Sequence, residues 1–290
     1  DRVLAICIGA FGERFARIAD AYGAAVTRLE TPLGKATPPD TLAAALAADP
    51  PYDAVLLTAN ETSTGVLQDV PTLAATVRAL APRTPLLLVD AVSALGAVDL
   101  PMDALGIDVL ITGSQKVWMA PPGLTMIGVS PKAWERQAVA RMPRFYFDFA
   151  AQHASQQKGL DSFTPALTTL FGLREGLRLL GAEGLSAVVE RHQTVARLTQ
   201  TGLEKLGFTL FAEQGRRSPT VTSAVPPTGV DAGEVVRLAR TQERLVLGSG
   251  QGPLAGKIIR VGHLGWIEPV HIEDTLASLG RTIDAIRSKG

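Results

Sequence analysis

Short continuous apolar runs alternate with amphipathic helical patterns, and this alternation most limits what the 290-residue chain can fold into. Val3–Gly9 reads as a strand, and Glu13–Tyr22 then places Phe15, Ile18, Ala19 and Tyr22 at helical spacing. Ala24–Leu29 reads as strand, Asp40–Ala48 as helix, Ala54–Ala59 as strand and Thr72–Leu80 as helix. Leu86–Val89, Val109–Thr112 and Leu124–Val129 follow as strands, and Lys132–Arg141 as a helix. A strand that is apolar throughout needs cover on both faces. The pattern therefore predicts an α/β fold with a mostly parallel sheet of seven-stranded type. Phe145–Lys158 reads as irregular, and Thr168–Leu206 as helical with breaks near Gly181 and Gly184. Beyond Gly207 the strand-like runs Phe208–Phe211, Thr220–Ala224, Leu245–Leu247 and Ile258–Val261 mix with helices Ala232–Arg240 and Ile272–Arg287. This change predicts a large domain over 1–183 and a smaller C-terminal α/β domain over 184–290.

Composition narrows the function. Hydrophobic residues make up 46% and charged residues 19%, enough apolar matter for a sizeable core and too much for a disordered chain. Lys+Arg and Asp+Glu each number 28, so no basic excess points to nucleic acid. The apolar runs fall far short of the ~20 residues of a membrane helix. Cys7 stands alone, which excludes an internal disulfide and a cysteine-rich metal site and fits a reducing, cytoplasmic setting. The chain opens Asp1-Arg2-Val3, without Met or signal peptide, and reads as though it started inside a domain.

Four stretches at or beyond strand ends carry candidate chemistry, since open α/β sheets bind ligands outside the carboxyl ends of their strands. Asp90 directly follows the run Leu86–Val89. It is either a capping or turn residue or an anion facing a cationic ligand atom, because a buried acid needs a cation or donors. Lys116 follows Val109–Thr112 after the small turn Gly113-Ser114-Gln115, with Trp118 and Pro121-Pro122-Gly123 behind it. A surface lysine is one reading. The other is an amine whose pKa is lowered by apolar walls and which forms an imine, with Ser114 and Gln115 as donors beside it. Asn60-Glu61-Thr62-Ser63-Thr64-Gly65 is an ordinary loop or cap, or a set of hydroxyl donors to an anionic or phenolic oxygen. Arg260, inside the β-branched run Ile258–Val261, is a structural ion-pair partner or a bidentate holder of a substrate carboxylate. An acid and a lysine on successive strand ends match the needs of pyridoxal phosphate, a lysine for its imine and an acid for its pyridinium nitrogen.

With these residues in view, the sequence resembles the class V aminotransferases of fold-type I. Within them it is similar to the alanine–glyoxylate and serine–glyoxylate aminotransferases and to relatives named soluble hydrogenase small subunit. The matching motifs are Phe11-Gly12-Glu13-Arg14, Glu61-Thr62-Ser63-Thr64-Gly65-Val66-Leu67 and Val89-Asp90-Ala91-Val92-Ser93-Ala94-Leu95-Gly96. Gly113-Ser114-Gln115-Lys116, with Ala120-Pro121-Pro122-Gly123, Phe163-Thr164-Pro165-Ala166 and Arg260-Val261-Gly262-His263-Leu264-Gly265, completes the ordered series. The resemblance implies that Lys116 forms the imine with pyridoxal 5'-phosphate and that Asp90 pairs with its ring nitrogen. It implies that Val92 and Phe11 pack on opposite ring faces and that Thr62 approaches the 3-oxygen. Ser114, Gln115 and, across a homodimer, Thr164 would serve the phosphate. Arg260 would hold the substrate carboxylate.

The implied activity is transfer of an amino group from serine or alanine to a 2-oxo acid such as glyoxylate. The alternatives are a lyase-type reaction on the same cofactor and a non-catalytic truncated homologue. The family has a segment before the Phe11 motif whose Gly/Ser/Thr loop binds the phosphate and which wraps the partner subunit. Without it, the expectation is loose cofactor binding. Cys7 lies in a strand rather than a mobile loop, against the related cysteine desulfurases.

Overall fold

A computed structural model of the protein describes residues 1–47, 51–80 and 84–288. The chain opens with β1 (Arg2–Cys7), α1 (Ala10–Ala21), β2 (Ala25–Glu30), α2 (Pro39–Leu46) and β3 (Ala54–Thr58). A hairpin of β4 (Asn60–Glu61) and β5 (Val66–Leu67) leads to α3 (Val70–Arg78) and β6 (Leu86–Asp90). Next come α4 (Met102–Leu105), β7 (Val109–Gly113), β8 (Thr125–Val129), α5 (Pro131–Val139) and α6 (Phe149–Gln156). Two long helices, α7 (Leu167–Glu183) and α8 (Leu185–Lys205), precede β9 (Thr209–Leu210), β10 (Val221–Val225) and α9 (Ala232–Gln242). The chain finishes with β11 (Gly248–Ser249), β12 (Ile259–Gly262) and α10 (Pro269–Arg287).

The main sheet runs β2-β1-β3-β6-β7-β8, parallel throughout except for β8, which pairs antiparallel with β7. It has six strands among the described residues rather than the expected seven. Cover on both faces is visible within β1 itself. Leu4 and Ile6 join the core that includes Leu42, Leu73 and Val77 of α2 and α3. Val3, Ala5 and Cys7 turn the other way, onto Phe15, Ala16 and Ala19 of α1. Helix α1 approaches closely because Gly12 has no side chain: a Cβ there would lie 2.7 Å from the Ile6 carbonyl oxygen. A second, antiparallel sheet, β11-β12-β10-β9, packs with α8, α9 and α10 around Leu203, Val235, Ile259 and Leu279.

The structure departs from the sequence reading at several places. The stretch Phe145–Lys158 contains helix α6, started by the Asp148 carboxylate, which accepts from the Ala150 and Ala151 amides at 2.9 and 3.3 Å. Trp134 packs on Phe149 and His153, so aromatic contacts outweigh the weak local pattern. Gly181 continues inside α7, and the helical run breaks at Gly184, whose φ of 86° is open to glycine at little cost. The strand expected at Leu245–Leu247 forms at Gly248–Ser249, paired with Ile259 and Arg260. The end of the 40–48 helix at Ala48 lies outside the described residues. Within the described residues no helix is long and apolar enough to cross a membrane.

Candidate active site

Four parallel strands deliver their carboxyl ends to one edge of the main sheet. Strand β6 ends at Asp90, in register with Thr58 of β3 and Ile111 of β7. Strand β7 ends at Gly113, and the next three residues lead to Lys116. Beyond β3 comes the β4–β5 hairpin with Thr62, and beyond β1 the start of α1 with Phe11. Arg260 enters from β12 of the second sheet.

The lysine turn is tightly braced. The Ser114 hydroxyl donates to the Pro121 carbonyl at 2.7 Å and accepts from the Leu124 amide at 3.3 Å. Trp118 Nε1 donates to Thr112 Oγ1 at 2.9 Å, and Met119 sits at φ 58°, in the left-handed region. The apolar backing consists of Val117 and Trp118 with Leu180 and Val188, whereas Pro121 and Pro122 are exposed. Loop residue Gly265, just after β12, packs on this turn: a Cβ there would lie 3.5 Å from the Lys116 carbonyl oxygen.

Lys116 is half-buried, and its ammonium makes no hydrogen bond or ion pair among the described residues. Burial pushes its pKa below the ordinary lysine value, the Arg260 guanidinium pushes the same way, and Asp90 opposes them. Burial likewise raises the Asp90 carboxyl above the usual range; the Val92 amide, which donates to Oδ1 at 2.9 Å, pulls it back. Oδ2 of Asp90 accepts no hydrogen bond among the described residues. Arg260 donates from Nε to the Ser249 carbonyl at 2.9 Å and from Nη1 to the Thr62 carbonyl at 3.0 Å. It pairs with no carboxylate among the described residues, and burial disfavours its charge. The Glu61 charge partly offsets that burial from a distance, and a half-buried cation without a directly bonded carboxylate is suited to take an anionic ligand.

The other candidates are placed as follows. Phe11 lies in the first turn of α1 with the Arg14 guanidinium 4.8 Å from its ring centroid. Val92 is half-buried beside Asp90, and the Gln115 amide is exposed and makes no hydrogen bond among the described residues. Thr62 is brought to Arg260 through its backbone carbonyl. Ser114 is brought to the lysine turn, but its proton is committed to Pro121, so the hydroxyl holds the turn instead of standing ready as an anion donor. Thr164 is exposed, in the segment before α7, next to Phe163, whose ring stacks on Tyr146 at 4.6 Å. A groove of about 1200 Å³ lies between α1 and the 251–254 turn, and neither Asp90 nor Lys116 lines it. Cys7 is buried at the end of β1, and its thiol is pushed up to about 11, chiefly by burial, so it stays protonated.

Sequence reasoning missed Glu61. Its carboxylate is fully buried and accepts from the amides of Phe11 and Gly12, each at 3.0 Å, and from the amide and hydroxyl of Ser63 at 3.0 and 2.6 Å. It occupies the N-terminus of α1, whose own N-cap residue, Gly9, has no side chain to cap with. The available signal was an acid among the small hydroxyl residues of the 60–65 run, just past an apolar strand.

A free, half-buried lysine, an acid with an open oxygen and an unpaired arginine at one sheet edge fit pyridoxal phosphate: the donor set supplies an imine former, a partner for a ring cation and a carboxylate site. The comparisons agree. The aminotransferase class-V family model matches residues 13–255. The chain is 39% identical to the soluble hydrogenase small subunit of Synechococcus sp., over 97% of this chain and 75% of that protein. It is 38% identical to the L-aspartate–glyoxylate aminotransferase of Paracoccus denitrificans, over 91% of this chain and 67% of the relative. Its fold is similar to that of an alanine–glyoxylate aminotransferase from Nostoc sp., with a TM-score of 0.92 at 31% identity, covering 98% of this chain and 75% of the other. The chain belongs to the class-V aminotransferase family and is a pyridoxal-phosphate-dependent enzyme of fold-type I.

Proposed function

We propose that this protein moves an amino group from a small amino acid, serine or alanine, to a 2-oxo acid such as glyoxylate. The observation that carries the reading is Lys116, an amine of lowered pKa with no hydrogen-bond or ion-pair partner among the described residues, under the influence of the Asp90 and Arg260 charges. The names of relatives support it: glyoxylate recurs as acceptor with aspartate and alanine as donors. A short donor suits a site whose unpaired cation, Arg260, is taken by the α-carboxylate.

Bound pyridoxal phosphate supplies an electron sink conjugated to the substrate Cα. Asp90 holds the proton on the ring nitrogen that makes the sink effective. Phe11 and Val92 would hold the ring, Thr62 would serve its 3-oxygen, and Gln115 and the partner subunit's Thr164 would serve the phosphate. Arg260 grips the carboxylate and so sets which Cα bond lies perpendicular to the ring. With the cofactor bound, Lys116, as a neutral amine, would take the Cα proton and deliver it to the cofactor's C4′, two atoms along the imine. The working unit is a cytoplasmic homodimer, and each chain divides near Glu183 into a large domain over 1–183 and a small one over 184–290.

The test is to incubate the protein and pyridoxal phosphate with serine or alanine and glyoxylate, following glycine formation and visible absorption. The reading expects glycine from at least one donor and a spectral shift on donor addition. A spectral shift without glycine would remove glyoxylate as the acceptor, and release of the donor nitrogen as ammonia would place the reaction among lyases. No visible band even with excess cofactor would remove Lys116 as the imine former.

A further inference from the structure

We propose that Glu61 is the positioning residue of this active site: its buried carboxylate sets both the aromatic wall at Phe11 and the carboxylate-binding arginine, Arg260. The inference deepens the proposed function and rests on it. Glu61 Oε2 accepts the amides of Phe11 and Gly12, fixing the backbone that aims the Phe11 ring. Oε1 accepts both donors of Ser63, and the Ser63 hydroxyl in turn accepts the Ala10 amide at 2.9 Å. The Glu61 carbonyl accepts the Thr64 and Gly65 amides at 3.2 and 2.8 Å, closing the hairpin loop. That loop holds the Thr62 carbonyl where Arg260 Nη1 reaches it at 3.0 Å. The Glu61 carboxylate thus ties α1 to Ser63 of the β4–β5 loop, and that loop reaches the other sheet through the Thr62 carbonyl.

The surroundings leave Glu61 little freedom. It is 0% exposed, and a Cβ on Gly9 would lie 2.5 Å from its Cγ, so helix start and carboxylate are packed against each other. A carboxylate has only acceptors, and all four donors aimed at it are N–H or O–H groups. An amide of the same shape must point an NH2 group at two of them. Lys116 and Asp90 are carried by other elements, the turn after β7 and the end of β6, and make no hydrogen bond to Glu61 among the described residues; its charge acts on Asp90 only behind burial and the Val92 amide. The chemistry itself is then left nearly intact, while cofactor seating and substrate binding loosen. Electrostatic coupling agrees, since the Glu61 charge raises the pKa values of both Asp90 and Arg260.

The experiment compares the parent protein with Glu61→Gln, Ser63→Ala and a control, Asp231→Ala. Asp231 caps α9, where its carboxylate accepts the Glu234 amide, and it has no place in the site. Three quantities are measured: pyridoxal phosphate affinity by equilibrium dialysis, KM and kcat at saturating cofactor, and the melting temperature of the cofactor-free protein. Glu61→Gln is expected to weaken the cofactor and raise KM for the amino donor by ~10-fold or more each, with kcat within ~3-fold. Ser63→Ala should give the same split with smaller size, and decides the matter if Glu61→Gln fails to fold. Asp231→Ala should lower the melting temperature alone. The proposal is overturned if Glu61→Gln, or Ser63→Ala in its stead, lowers only the melting temperature. It is equally overturned if kcat falls while KM and cofactor affinity hold. Failure of the parent to bind pyridoxal phosphate would strike the proposed function instead.

Discussion

Lys116 shows how one residue type acquires a chemistry from its surroundings. Burial and the neighbouring Arg260 charge both favour the neutral amine, and Asp90 only partly offsets them. The rate of pyridoxal phosphate capture should therefore rise with pH and level off below the ordinary lysine value of 10.5. Arg260→Gln removes one of the lowering influences and should move that plateau upward; a plateau that stays put would disprove the coupling. Borohydride reduction should fix the cofactor on the peptide containing Lys116, and Lys116→Ala should abolish amino transfer. A label on Lys132 or Lys35 would overturn the site.

Asp90→Asn should fold and yet slow turnover by ~100-fold or more, because an amide cannot stabilise a full positive charge on the ring nitrogen. Near-parent turnover would remove Asp90 from its role. His263 makes a different prediction, about stability. It is fully buried, with Nε2 on Thr222 Oγ1 at 2.8 Å and Nδ1 on the Pro219 carbonyl at 3.1 Å, and its pKa is lowered, mainly by burial, to about 4. In the unfolded chain it binds a proton near pH 6.5, while the folded chain stays neutral until about pH 4. Its share of stability is thus complete above pH 6.5 and is lost as pH falls toward 4, to an extent of ~3 kcal/mol. Denaturant melts at several pH values should show a shallower acid loss in His263→Gln than in the parent; identical slopes would contradict the assignment.

At the scale of elements, the fit of α7 against the lysine turn is the point most open to test. Gly176 lies inside α7, where alanine would ordinarily favour the helix. A Cβ there, however, would stand 2.1 Å from the Trp118 carbonyl oxygen, in the turn that carries Lys116. Gly176→Ala should therefore destabilise by ~1–3 kcal/mol in urea melts, from overpacking, and should weaken cofactor binding with it. A gain in stability would mean that α7 stands further from the turn. Element placement was largely legible beforehand, because β1, β3 and β6 are continuous apolar runs whose two-sided burial leaves few alternatives. The helix α6 and the hairpin β4–β5 were not legible. Each is short, and each is held by side-chain caps or partners distant in sequence, such as Trp134 on Phe149.

At the scale of the whole molecule, the segment from Val139 to Phe171 carries an unusual exposed apolar surface. Phe145 is 82% and Phe147 78% exposed, with Tyr146, Leu160 and Phe171 also open. Exposed apolar side chains are what an interface buries, and this segment includes Thr164, which the proposed function gives to the partner's phosphate site. Replacing Phe145 and Phe147 together with Asp should convert a dimer into a monomer in sedimentation and reduce turnover as the partner subunit's Thr164 is lost. Unchanged mass in that variant would remove this face from the dimer.

What the amino-acid sequence determined by itself was the layering and which residues stand as candidates at the strand ends. Apolar runs between amphipathic helices permit little besides a covered parallel sheet, and the strand ends of such a sheet are where an acid and a lysine can meet one ligand. Only the tertiary structure decided which polar groups remain free. Ser114 and Gln115 are neighbours in the chain, yet the hydroxyl of one is committed to Pro121 while the amide of the other is open. Glu61 is an ordinary loop acid in the sequence and becomes a fully buried anchor because α1 returns 50 positions away to present its amides. Hydrogen-bond satisfaction is a property of three-dimensional neighbours, and the long-range contacts that supply those neighbours leave no periodic trace in the chain.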